Sequence, residues 1–135
     1  MVMIDLDHFK KVNDRHGHTI GDEVLINFCA LARDSLRGSD IVGRYGGEEF
    51  YLALVGCGTT AAQQRIESLL GAFREFNVAA EEINLGGLTF SAGIAVYPED
   101  GIDVRTLVAC ADRRLLLAKA QGRARVVYRD SLVTH

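Results

Sequence analysis

The sequence predicts an α/β chain of the α+β type, with a mixed central sheet and covering helices. Three observations carry this reading. The chain opens on an alternating strand, two β-prone segments meet at Gly46-Gly47, and helical stripes separate the remaining strand-like runs. The order reads β-α-β-β-α-β-α-β. A hairpin inside an otherwise alternating order implies a sheet that is not wholly parallel, with its helices expected on one face.

In the first strand Val2, Ile4 and Leu6 fall on one face and Met3, Asp5 and Asp7 on the other. The polar run HFKKVNDRHGHTIG, with Gly17 and Gly21 as breakers, reads as a loop with room for a short helical turn. Val24, Leu25, Phe28, Leu31, Ala32 and Leu36 then recur at helical spacing and place a helix over 21–36. DIVGRYGG and EEFYLALV form a hairpin, the glycine pair supplying the positive φ of a tight primed turn.

Thr60 followed by Gln63 has the form of a capping box, and Ile66, Leu69, Leu70, Phe73 and Phe76 mark the second helix. In LTFSAGIAV the residues Leu88, Phe90, Ala92, Ile94 and Val96 alternate with Thr89, Ser91, Gly93 and Ala95, as in a strand. Pro98 and Gly101 interrupt the chain. Val104, Leu107, Val108, Ala111, Leu115 and Ala118 form the third stripe, Gly122 sits where a left-handed cap belongs, and RVVY is the last strand. This order is close to the split βαβ, ferredoxin-like arrangement.

At 135 residues the chain supports one domain with a core and is too short for two. Its 48% hydrophobic and 24% charged residues exclude disorder and fibrous repeats. The net charge of −3 provides no basic footprint for nucleic acid, so a bound phosphate must meet local cations or a metal. Cys29, Cys57 and Cys110 are an odd set without close spacing, against both a disulfide framework and a zinc site. Reduced thiols, no run long enough to span a bilayer, and acid near the start where a signal peptide carries base all point to the cytoplasm. A chain that opens on a central strand reads as a piece of a longer one.

The carboxylates hold the chemistry. Asp5 and Asp7 end the first strand and Glu48 and Glu49 follow the turn, so pairing of the hairpin beside that strand brings four acids to one end of the sheet. Such a group needs a cation, and magnesium takes hard oxygen ligands while bridging to phosphates. Adjacent residues in an extended segment point to opposite faces, so one of Glu48 and Glu49 is expected to be a ligand. Gly46 and Gly47 clear side chains from beside Glu48 and leave room for a flat ligand or a phosphate. Lys10 and Lys11 follow the acidic strand end, and Lys119 and Arg123 close the third helix at a four-residue spacing that serves equally to bind phosphate or to complement the helix dipole.

Four segments in order, DLDHFKKVNDRHGHTIGDEVL, RYGGEEF, FSAGIAVYPEDG and AKAQGR, together resemble the GGDEF family of bacterial diguanylate cyclases from Asp5 to about Arg125. The resemblance implies a nucleotidyl cyclase palm: a single GGDEF domain, 1–135, lacking its N-terminal lead-in helix. By similarity Asp5, Glu48 and the Leu6 backbone carbonyl would hold Mg2+, with Mn2+ as the alternative, and Glu48 would be the base for the 3′-hydroxyl. Asn13 and Asp22, with His18 as a weaker candidate, would bind guanine. Lys10, Lys119 and Arg123 would bind the triphosphate, and Gly46, Gly47 and Glu49 would complete the signature loop.

The implied reaction joins two GTP molecules into cyclic di-GMP and releases two pyrophosphates, on a homodimer with sites face to face. RGSD, Arg37 to Asp40, matches the family's RxxD inhibitory motif, where product would bind. An N-terminal sensory or receiver domain is expected in the parent chain, which can be membrane-anchored. Two alternatives compete: a catalytically silent module that binds GTP or cyclic di-GMP, and a cyclase for another nucleotide. Leu116 stands where the family usually has an aromatic residue and Ala124 where Asn is common, and no second inhibitory arginine is evident around Ser68.

Overall fold

The computed structural model describes residues 1–75 and 87–130. Its elements are β1 (Val2–Leu6), α1 (Phe9–His16), α2 (His18–Asp34), β2 (Ile41–Arg44), β3 (Glu49–Ala53), α3 (Thr59–Arg74), β4 (Phe90–Ile94), α4 (Val104–Ala120) and β5 (Val126–Val127). Among the described residues the sheet has the order β2-β3-β1-β4-β5. β1 pairs antiparallel with β3 and β4, and β5 joins β4 in parallel. The mixed sheet expected from the sequence is therefore present, and β1 is its centre, buried along its whole length.

The expected single covered face is corrected. Val2, Ile4, Phe50, Leu52 and Phe90 pack with α2 and α3 on one side, around Phe28, whose ring lies 4.8 Å from Phe50 and 5.4 Å from Phe73. On the opposite side Met3 and Ala95 pack against Cys110, Ala111 and Leu115 of α4. Helix α4 approaches so closely that a Cβ at Gly93 would lie 2.0 Å from the Ala111 carbonyl oxygen. The small residues on the second face of β4 make that approach possible.

The polar run after β1 is also corrected, from a loop to the eight-residue helix α1. Phe9 drives it by burying its ring in the main core, with Val12 packed alongside. Gly17, at φ 88, separates α1 from α2. Gly21 is no breaker: it lies inside α2, buried where α1 crosses, and a Cβ there would sit 1.8 Å from Asn13 Oδ1.

Two local expectations fail. Gly46 and Gly47 have no positive φ, because the strands are joined by the longer loop Tyr45–Glu48 rather than a two-residue primed turn. That loop closes through the Tyr45 and Gly46 amides on the Glu49 carbonyl, at 2.7 and 3.2 Å. The capping box does not form either: Gly58 is the N-cap of α3, and Gln63 donates to Glu67 instead. Phe76, expected on the same helix, lies outside the described residues. Gly122 does follow α4 with φ 119, and the three cysteines are free thiols.

Candidate active site

One cleft of about 170 Å3 gathers the residues expected to hold the metal and the phosphates, Asp5, Leu6, Lys10, Glu48, Lys119 and Arg123, together with Asp7, His8 and Phe9. Four elements converge to make it, the start of α1 supplying Phe9 and Lys10. The end of β1 supplies Asp5 and Leu6, the hairpin loop supplies Glu48, and the end of α4 with its following turn supplies Lys119 and Arg123. The Leu6 amide donates to the Glu48 carbonyl at 3.1 Å, which fixes the loop against the strand end.

Asp5 is 8% exposed, and its carboxylate accepts from the Lys119 ammonium. Burial pushes the Glu48 carboxyl above its usual range, the charges of Asp5 and Glu49 add to the shift, and Lys119 opposes it. Two carboxylates that repel each other while a lysine cation neutralises them form a site suited to a hard cation. No cluster of three His, Cys, Asp or Glu side chains converges among the described residues. A magnesium ion held by Asp5, Glu48 and the Leu6 carbonyl would thus complete its shell with water and substrate oxygens, as magnesium usually does. The donor set fits the ion.

The structure places Glu48 and Glu49 differently. Glu48 belongs to the loop rather than to an extended segment and lines the cleft. Glu49 begins β3 opposite Asp5, and its carboxylate lies over Gly46, where an added Cβ would meet it at 3.1 Å. Around Gly47 there is open space.

The residues expected to recognise guanine lie apart from the cleft. Asn13 on α1 packs on Gly21, the neighbour of Asp22, which brings Asn13 and Asp22 to one α1–α2 corner. Asp22 and His18 are exposed. Helix α1 links this corner to the cleft through Phe9 and Lys10. Among the described residues Lys10 and Arg123 have no ion-pair partner, leaving both cations available.

Arg37, Val55, Arg65 and Ser68 line a second cleft of about 250 Å3, and Asp40 lies behind it, bonded to the first three. Asp40 is buried and accepts from the amides of Arg37 (3.0 Å) and Val55 (2.6 Å) and from the Arg65 guanidinium (3.0 Å). The Val55 bond above all holds its carboxyl below the usual range. A second arginine therefore does reach this motif, one helical turn before Ser68.

Sequence reasoning missed three further residues. Asp7, grouped there with the other acids, is a hydrogen-bond anchor rather than a free carboxylate. Arg44 donates to the Gly46 carbonyl (3.1 Å) and the Gly47 carbonyl (2.6 Å), bracing the loop. Arg114 is 5% exposed and bonds Asp100, Asp130 and the Ile94 carbonyl. Its sequence signal was a charge set among Ala111, Leu115 and Ala118 on the apolar stripe.

The family model for the diguanylate cyclase GGDEF domain matches residues 1–125. The chain belongs to the GGDEF domain family. It is 36% identical over 123 residues to diguanylate cyclase TpbB of Pseudomonas aeruginosa, covering 91% of this chain and 28% of that protein. The crystal structure of the TpbB GGDEF domain matches with a TM-score of 0.87 at 32% identity, covering 96% of this chain and 81% of that one. The active GGEEF domain of a Vibrio cholerae diguanylate cyclase matches at 0.85 and 32%, covering 96% and 82%. The GGDEF domain of DgcB from Caulobacter crescentus, solved with cyclic di-GMP, matches at 0.86 and 27%, covering 96% and 74%. The chain thus spans under a third of the curated TpbB protein.

Proposed function

We propose that this GGDEF domain is the catalytic part of a longer diguanylate cyclase that condenses two GTP molecules into cyclic di-GMP. The observation that carries the reading is the cleft that brings Asp5 and Glu48 together with Lys10, Lys119 and Arg123. Both signature acids are present, and the cations match a triphosphate in charge and placement. Mg2+ or Mn2+, held by Asp5, Glu48 and the Leu6 carbonyl, would neutralise phosphate charge as it develops.

The chain's own residues do the rest. Lys10 and Arg123 hold the triphosphate, and Lys119 shares its charge between Asp5 and the phosphates. Asn13 and Asp22, with His18 beside them, offer acceptors and donors to the guanine edge. The 3′-hydroxyl oxygen of one GTP bonds to the α-phosphorus of the other, the bond to pyrophosphate breaks, and Glu48 takes the hydroxyl proton. The raised Glu48 carboxyl makes it a stronger proton acceptor than an ordinary glutamate. A second such step closes the ring, so each protomer presents one GTP to its partner in a homodimer.

The domain works where GTP is found, on the cytoplasmic side, under an N-terminal sensory or receiver domain. Product binds at the Arg37 cleft, where exposed Arg37 meets its phosphates and Arg65 adds a second cation. The test is synthesis by the full-length parent with GTP and Mg2+, followed by separation of nucleotides. Cyclic di-GMP is expected from the wild type and none from Glu48→Ala. A folded, dimeric parent that binds GTP tightly and forms no product would overturn the reading in favour of a silent binding module.

A further inference from the structure

Asp7 is the strand-end acid that the proposed reaction leaves without a task. It is 7% exposed and lines the cleft. Its Oδ1 accepts from Ser91 Oγ at 2.7 Å, and its Oδ2 accepts from Thr89 Oγ1 at 2.8 Å and from the Ala124 amide at 3.0 Å. With both oxygens engaged in this way, Asp7 is a poor ligand for a cation. Its bonds lead elsewhere, across the floor of the cleft to the turn after α4.

That turn is backbone under strain. Gly122, Arg123 and Ala124 follow one another at φ 119, 63 and 52. The left-handed region is unfavourable for each non-glycine residue, so the conformation persists because its surroundings hold it. The Arg123 amide donates to the Ala118 carbonyl at 2.9 Å, Arg125 Nε donates to the Arg123 carbonyl at 2.9 Å, and Arg74 reaches the Ala124 carbonyl at 3.5 Å. Among the described residues the bond from the Ala124 amide to Asp7 is the one that ties the turn to β1, and it is charge-assisted.

We propose that Asp7 is a positioning residue for Arg123: the buried carboxylate pins the Gly122–Ala124 turn and so aims the Arg123 guanidinium at the nucleotide's triphosphate. This rests on the reading of Arg123 as a phosphate-binding residue. Thr89 and Ser91 hold Asp7 in turn, each donating a hydroxyl, Thr89 from just before β4 and Ser91 from within it. Asp7 therefore sets triphosphate affinity without touching the nucleotide.

The experiment measures binding of 3′-deoxy-GTP, which lacks the attacking hydroxyl, and of GMP to the full-length parent by calorimetry. Asp7→Asn, Arg123→Ala and the double variant complete a thermodynamic cycle. Asp7→Asn is expected to weaken 3′-deoxy-GTP roughly tenfold, as the loss of a charge-assisted bond would, and GMP less than about twofold. In the Arg123→Ala background the same change should cost less than about twofold, because the group it positions is gone. Equal losses for the two ligands, no loss, or additive losses would each overturn the proposal and leave Asp7 a structural residue. If Arg123→Ala itself leaves 3′-deoxy-GTP affinity unchanged, the reading of Arg123 fails and the proposal with it. Should Asp7→Asn not fold, Thr89→Val keeps the charge and removes one tether. It is expected to weaken 3′-deoxy-GTP about two- to threefold with GMP unchanged, and an unchanged affinity for both would overturn the proposal.

Discussion

The Lys119 ammonium donates to the Asp5 carboxylate, joining the last turn of α4 to the end of the central strand. The side chains are 28% and 12% exposed, so the pair sits between a surface ion pair and a buried one. Lys119→Met leaves Asp5 and Glu48 facing each other without that cation, and should lower stability by about 1–2 kcal/mol. Millimolar Mg2+ should then raise the melting temperature of the variant more than that of the wild type. Equal shifts in the two melts would contradict a shared cation site.

Arg114 is expected to be the costliest single side chain to remove outside the aromatic core. It donates to Asp100 through two nitrogens, both at 2.9 Å, and to Asp130 at 3.1 Å. Arg114→Met leaves these partners partly unpaired and should cost about 3–5 kcal/mol in urea unfolding. Asp100→Asn added to Arg114→Met should recover part of that loss, since the charge left without its partner is then gone.

Arg114 also shows where sequence reasoning stopped. The alternation at Val2–Leu6, the hairpin and the helical stripes were legible because apolar periodicity reports burial directly. Arg114 was hidden because its burial depends on two acids brought in from other parts of the chain. Helix α1 was missed for a related reason: FKKVNDRH is polar, and its helicity rests on burying Phe9. The second covered face was overlooked although Gly93 and Ala95 were read as strand residues, because their small size matters only once α4 lies against them. At the site, motif spacing located the residues of the cleft, while Asp7, Arg44 and Arg65 act through bonds that no spacing reveals.

Ala124 holds φ 52 where asparagine would be better suited to the left-handed region. Ala124→Asn keeps the amide that donates to Asp7 and relieves part of the strain. It should stabilise the domain by about 0.5–1 kcal/mol, a rise of roughly 3 °C in melting temperature. A lower melting temperature would mean that the turn is not strained as its φ implies.

Acid should unfold the domain through Asp40, Asp100 and Asp130. The Val55 amide holds the Asp40 carboxyl low, and the Arg114 guanidinium does the same for Asp100 and Asp130. A depressed carboxyl contributes stability that is fully present above the ordinary aspartate value near about 3.9 and is lost as pH falls through the folded value. Glu48 has the opposite sign. Its raised carboxyl makes stability fall as pH rises from the ordinary glutamate value near about 4.3 through the folded one. Urea midpoints between about pH 2.5 and 7 should therefore show a steep acid limb. Glu48→Gln should raise the midpoint near neutrality and leave that limb in place, and a flat acid limb in the wild type would contradict the assignment.

Arg37 and Arg65 border one cleft and should separate under mutation. Arg65 bonds Asp40, with side chains 15% and 2% exposed, so Arg65→Ala leaves a buried carboxylate held by two amides and should cost about 2–3 kcal/mol. The Arg37 side chain is exposed, and the motif uses its backbone amide to reach Asp40. Arg37→Ala should therefore change stability by less than about 0.5 kcal/mol. If product binds in this cleft, Arg37→Ala should weaken cyclic di-GMP binding at least about tenfold, since a guanidinium–phosphate pair is lost from a site that otherwise stays folded. Calorimetry with cyclic di-GMP decides it: unchanged affinity in a normally folded Arg37→Ala would place product elsewhere and leave RGSD as the knot that closes β2 onto α3.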